Sequence, residues 1–150
     1  MYKNLITLYP KLARMKKLSV ILISILFFAT AFSQIPDSLK YNSLEPYEFH
    51  LRYLKEDSSM LIDVRELGEL RKQIRGAVNI PSTGNLDFAA DTICKRKSLF
   101  IYCNHGNRSK RIAIFFYDKG FRKLYSLEGG ILAWRKEGFR VVRSPGNKKR

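Results

Sequence analysis

Cysteine is scarce: the 150-residue chain has only Cys94 and Cys103. That count excludes a secreted scaffold stapled by several disulfides, and it excludes a four-cysteine metal centre. Acidic residues are also few, 13 against 28 Lys and Arg, for a formal net charge of +15. Such a field draws anions without naming which one. No recognition-helix pattern and no array of stacking aromatics accompanies it, so nucleic acid is not an expected partner. Internal repeats and low-complexity tracts are missing, which excludes a solenoid. What remains, at 45% hydrophobic and 27% charged residues, is the composition of one ordinary globular domain.

Residues 1–33 lack acidic side chains altogether and hold five basic ones: Lys3, Lys11, Arg14, Lys16 and Lys17. From Met15, two lysines precede an apolar run, Leu18 to Phe32, broken only by Ser19, Ser24 and Thr30. Ala31 and Ser33 then place small residues before Gln34. This is the order of a secretory signal, with cleavage expected after Ser33. The fifteen-residue run is shorter than the roughly 20 residues a stable transmembrane helix needs. An uncleaved anchor, which would put the chain on a membrane, is the alternative. No cysteine follows the run to take a lipid. Met15 alone opens a complete signal, so residues 1–14 read as an upstream extension.

The remaining pattern is strand and helix in alternation. Residues 34–45 read as a loose lead-in. Pro46–Glu56 has Tyr47, Leu51 and Leu54 at helical spacing. Met60–Val64 reads as a buried strand, Glu66–Gln73 as a short surface helix, and Ala77–Ile80 as a strand stopped by Pro81. Leu86–Cys94 presents Leu86, Ala89, Ala90 and Ile93 on one helical face. Ser98–Tyr102 is a third strand and Arg108–Lys119 a helix stopped by Gly120. Lys123–Leu127 and Gly130–Glu137 complete the series, and residues 143–150 read as a frayed basic tail. The expected fold class is α/β, a single domain over residues 46–142 with a mostly parallel central sheet and helices on both faces.

Open parallel sheets bind ligands at the carboxyl ends of their strands. Cys103 lies at such an end, and the loop Cys103-Asn104-His105-Gly106-Asn107-Arg108 leads from it into a helix. Successive backbone N–H groups in such a loop form an anion nest, and the helix N-terminus adds partial positive charge. Arg108, Lys110 and Arg111 add full charges. Each influence lowers a thiol pKa, so Cys103 is expected to be a nucleophilic thiolate. Gly106 allows curvature that a Cβ would obstruct. Cys94 and Cys103 flank the strand Ser98–Tyr102, about 16 Å long, and so lie too far apart for a disulfide.

Four segments together carry a resemblance: Leu61-Ile-Asp-Val-Arg-Glu66, Gly76-Ala-Val-Asn-Ile-Pro81, Tyr102-Cys-Asn-His-Gly-Asn-Arg-Ser109 and Leu127-Glu-Gly-Gly-Ile-Leu-Ala-Trp134. In order and spacing they resemble the marks of single-domain rhodanese-like sulfurtransferases, over residues 44–142. The resemblance implies a five-stranded parallel core and a Cys103 that carries a persulfide. It implies two small partners: an anionic sulfur donor such as thiosulfate, and a thiophilic acceptor such as cyanide. No cofactor is implied. Asn104, His105, Gly106, Asn107, Arg108 and Ser109 would bind the substrate. Joined to the signal segment, the resemblance is to small periplasmic rhodaneses, which implies a bacterial envelope location, periplasmic or secreted.

Two positions depart from the family pattern: Asn104 stands where a basic residue is common, and Gln73 where histidine is usual. Asp63 and Arg65 are expected to form an ion pair bracing the loop. His105 is a candidate for tuning the thiolate, Trp134 reads as core packing, and His50 as an ordinary helix-surface residue. Two other function classes use similar residues: cysteine phosphatases and arsenate reductases, and a sulfur- or anion-binding module without turnover. A phosphatase loop, Cys-x5-Arg, would be one residue longer.

Overall fold

The structure is a computed structural model that describes residues 35–145. The secretory-signal reading falls on residues outside that range. Among the described residues no helix is long and apolar enough to cross a membrane.

Five parallel strands form the sheet: β1 (Asn42–Leu44), β2 (Ser59–Asp63), β4 (Val78–Asn79), β5 (Ser98–Tyr102) and β6 (Leu124–Leu127), in the order β1-β6-β5-β2-β4. A second, antiparallel pair joins β3 (Lys72–Gln73) to β7 (Val142–Arg143). The helices are α1 (Asp37–Lys40), α2 (Pro46–Lys55), α3 (Leu86–Thr92), α4 (Asn107–Asp118) and α5 (Gly130–Lys136). Strand β5 is at the centre and every one of its residues is buried. Its alternating side chains feed two cores. Leu99, Ile101 and then Cys103 join Ala90, Ile112 and Phe116 of α3 and α4. Phe100 and Tyr102 join Phe49, Ile131 and Trp134 of α2 and α5. A strand apolar on both faces can only be an interior strand with cover on each side, and helices supply that cover.

Four expectations need correction. The lead-in 34–45 is not loose: it holds α1 and the edge strand β1, whose Asn42, Ser43 and Leu44 register against Tyr125, Ser126 and Leu127 of β6. Pairing with β6, rather than any alternation of its own three residues, makes this segment a strand. Residues 66–73 are not one helix. A 3-10 turn at Leu67–Glu69 is closed by a reciprocal capping box between Glu66 and Glu69, and the chain then extends into β3. The inward face of α2 carries Pro46 and Phe49, whereas Tyr47, Leu51 and Leu54 are exposed. Finally, order continues past residue 142. Arg143 belongs to β7, and Ser144 is buried with its amide donating to the Arg71 carbonyl.

Candidate active site

Cys103 follows directly on β5, and its side chain is 2% exposed. The loop beyond it curls because Gly106 takes φ +96°, a left-handed backbone that side-chain-bearing residues rarely adopt. That turn brings the Gly106 amide to 3.2 Å from Cys103 Sγ. Burial alone would raise the thiol pKa. The backbone N–H groups of Ser109, His105, Gly106 and Arg108 outweigh it and hold Cys103 below its ordinary value of 9.0. Ser109, fully buried at the first turn of α4, has its hydroxyl 3.9 Å from Sγ. That hydroxyl donates to the Gly106 carbonyl at 2.8 Å and leaves Ser126 to donate to it at 2.9 Å.

The loop amides turn inward because the loop carbonyls are held outward. Ile131 N–H donates to the Cys103 carbonyl at 2.9 Å and Leu132 N–H to the Asn104 carbonyl at 3.3 Å. This close approach depends on Gly130, at φ +62°, whose absent Cβ would lie 2.5 Å from the Cys103 carbonyl oxygen. The Leu127-Glu-Gly-Gly segment therefore has a mechanical reason that its sequence alone did not disclose.

Two of the three cations around the loop are paired with carboxylates. Both terminal nitrogens of Arg108 are bound by Glu69, at 2.6 and 2.7 Å. Lys110 is bound by Glu128 at 2.7 Å, and Arg111 is exposed. Backbone amides are the main influence that depresses the Cys103 thiol, and Arg108, though held by Glu69, adds to it. Glu69 is the residue sequence reasoning missed. Beyond Arg108, it accepts from the Asn104 amide at 2.6 Å and from the Glu66 backbone N–H at 2.9 Å. Bonding to Arg108 is the main reason its carboxyl is pushed from 4.5 down to about 2.

A carboxyl lowered on folding stabilises the folded chain above its unfolded value and loses that contribution as the pH falls through the folded one. For Glu69 the window runs from about pH 4.5 down to about 2. Glu69→Gln is therefore expected to lower the melting temperature at pH 7, with the gap to wild type closing as both are titrated to pH 2.5. A gap that stayed constant across that range would contradict the pairing.

Asp63 and Arg65 form the expected ion pair at 2.6 Å, and both are buried. Arg65 also donates to the Lys72 carbonyl at 2.8 Å and reaches Asn104 Oδ1 at 3.4 Å, so it links the end of β2 to β3 and the loop. The remaining candidates divide. Gly106 and Ser109 face the sulfur, His105 supplies its amide while its side chain is exposed, and Asn107 is exposed at the start of α4. Asn104, at the position often basic, bridges Glu69 and Arg65. Trp134 is core, its indole N–H donating to the Arg140 carbonyl at 3.2 Å. His50 is only half-buried, against Trp134 and Phe139. Cys94 is exposed and unbonded to Cys103.

Comparison with known proteins agrees with this geometry. The family profile described as "Rhodanese-like domain" matches residues 46–137. Thiosulfate sulfurtransferase GlpE of Pseudomonas savastanoi pv. phaseolicola is 34% identical over 87 residues, covering 55% of this chain and 77% of that protein. A sulfurtransferase of Allochromatium vinosum is 26% identical over 106 residues, covering 70% of this chain and 98% of its own. Among solved structures, a rhodanese-related protein from Thermoplasma volcanium superposes with a TM-score of 0.59 at 31% identity, over 68% of this chain and 98% of that one. With its parallel sheet, its thiol-bearing loop and these relatives, the chain belongs to the rhodanese-like domain family and is a sulfurtransferase of the rhodanese type.

Proposed function

We propose that Cys103 carries sulfane sulfur as a persulfide, taken from thiosulfate or a similar anionic donor and passed to a thiophilic acceptor. The Cys103 thiolate attacks the outer sulfur of thiosulfate. The S–S bond of the donor breaks, sulfite leaves with the bonding pair, and the enzyme keeps a Cys103–S–S⁻ group. In the second half-reaction cyanide carbon attacks the outer sulfur; thiocyanate leaves and the Cys103 thiolate returns. This is covalent catalysis in two displacements. The observation that carries the reading is the ring of inward backbone N–H groups around Cys103 Sγ. Such a ring stabilises the thiolate before transfer and the persulfide anion after it.

Mass spectrometry after incubation with thiosulfate tests it directly. The expected result is a gain of about 32 Da, one sulfur atom, on the peptide containing Cys103. An unmodified Cys103 would favour the binding module without turnover. The same preparation is expected to leave aryl phosphates intact. Phosphoryl transfer needs a cation free to grip the phosphate, and Arg108 is already held at both terminal nitrogens by Glu69. The loop is also one residue shorter than Cys-x5-Arg.

The segment Met15-Lys-Lys-Leu-Ser-Val through Ser33 supports an exported protein of the periplasm or cell exterior. N-terminal analysis of the protein from its native envelope fraction is expected to begin at Gln34. A start at Met1 or Met15 in the membrane pellet would favour the anchored form.

A further inference from the structure

On the other face of the sheet from Cys103 is an apolar cavity that the sulfur chemistry leaves unused. Cys103 packs with α3 and α4, whereas Phe49, Leu61, Ile74 and Trp134 belong to the core beneath α2 and α5. These four residues line a cavity of about 490 Å³ that opens between the end of α2 and the turn after α5. Small-molecule sites span roughly 300–1,000 Å³, so the volume is that of a ligand pocket. Its walls are largely aromatic. Phe139 stacks on Trp134 with ring centroids 4.5 Å apart, and the His50 ring lies 5.4 Å from Trp134 and 5.2 Å from Phe139. The Trp134 indole N–H donates to the Arg140 carbonyl at 3.2 Å, which fixes the segment carrying Arg140 against the cavity. Leu54, also on the lining, is 66% exposed. An exposed leucine is ordinary on its own, but beside an open apolar cavity it is further surface for an occupant to cover.

The charge at this cavity has one sign. Arg75 and Arg140 line it, both exposed, and among the described residues no acidic side chain joins them there. Among the described residues neither arginine is in an ion pair. An apolar interior with two uncompensated guanidinium groups fits a molecule with an apolar body and one anionic end, and a carboxylate matches the guanidinium fork. A small polar anion gains nothing from the aromatic walls, and a neutral hydrocarbon leaves both charges unanswered. The chain's own apolar run, Leu18 to Phe32, follows Lys16 and Lys17 and adjoins no acidic residue, so its charge has the wrong sign for this site. We propose that the cavity binds a small amphiphilic carboxylate, with its apolar body against Trp134 and Phe139 and its carboxylate held by Arg75 and Arg140. The site is separate from the Cys103 loop, and the inference does not rest on the persulfide reading.

Octanoate is the probe, and Trp134, the only tryptophan of the chain, is the reporter. Titration at low salt is expected to change the Trp134 emission saturably. Acetate, which has the charge without the body, is expected to bind at least about a hundredfold more weakly. Octylamine, which has the body with the opposite charge, is expected to bind at least about tenfold more weakly. The double substitution Arg75→Gln/Arg140→Gln removes two exposed charges that make no ion pair, so the fold is retained, and an unchanged melting temperature checks this. In that variant the Kd for octanoate is expected to rise about tenfold, while the Kd for neutral 1-octanol stays within about twofold of its wild-type value. Cys103→Ser and saturating thiosulfate are each expected to leave octanoate binding unchanged. Octanoate displaced by thiosulfate, or bound equally by the wild type and the double variant, would overturn the proposal. A Trp134 signal that followed protein concentration instead of octanoate would put a second copy of the chain in the cavity and overturn it as well. Octanoate binding intact in a preparation that formed no persulfide would uphold the site and sink only the persulfide reading.

Discussion

Cys103→Ser is expected to reduce thiocyanate formation from thiosulfate and cyanide by at least about a thousandfold, whereas Cys94→Ser keeps wild-type turnover. Thiolate character alone does not predict this difference. Cys94 is exposed, and its thiol is also lowered, chiefly by the Arg96 backbone N–H with help from the Arg96 charge. What Cys94 lacks is an enclosure. No loop folds around it to hold a second sulfur, so a persulfide formed there is open to any passing thiol. Cys103 has its amides fixed before the reaction begins, and fixed dipoles need no reorganisation when charge moves onto the outer sulfur. The Ser variant keeps those dipoles but offers them a hydroxyl that stays protonated. Comparable turnover in both single variants would remove Cys103 from the mechanism.

Gly130→Ala is expected to be the most damaging substitution away from the cysteine, lowering sulfur transfer by roughly a hundredfold and the melting temperature with it. The new Cβ would meet the carbonyl groups of Cys103 and Asn104, which are backbone and cannot rotate aside. Relief requires the loop or α5 to move, and a displacement of about 1 Å at a reacting centre is enough for a loss of that size. Gly120→Ala is the control. Gly120 also has a left-handed backbone, φ +96°, but open space surrounds its missing Cβ. That variant bears the backbone strain, of order 1 kcal/mol or more, without touching the site. If Gly120→Ala and Gly130→Ala lost activity equally, strain in general and not the loop contact would be responsible.

Much of the fold was legible because its signals are local. The run Ser98–Tyr102 is apolar at every position but the first, and only a strand covered on both faces needs that. The spacing of Ile112 and Phe116 likewise marks α4 without reference to anything distant. Strand β1 was illegible for the opposite reason. Asn42, Ser43 and Leu44 carry no alternation, and their conformation is decided by β6, eighty residues on. The site shows the same division. Cys103, Gly106 and the helix start are contiguous, so their joint chemistry could be read from one loop. Glu69 lies on another segment and looked like one charge among several on a surface helix. Only folding brings it to Arg108 and Asn104, where it pairs with the charge that the sequence suggested would act on the thiol alone.

The outward ties of the loop carbonyls have a consequence for kinetics. The first amides of a helix have no partner inside it and ordinarily exchange freely with solvent deuterium. In α5 the Ile131 and Leu132 amides are instead bonded to the carbonyls of Cys103 and Asn104. Their exchange rates therefore report the opening of the loop rather than the fraying of α5. At alkaline pH, where exchange from the open state outruns reclosing, two backbone amides that take no part in the chemistry thus time how often the sulfur-bearing loop lets go, and that opening frequency is a ceiling on any step that requires the loop to rearrange.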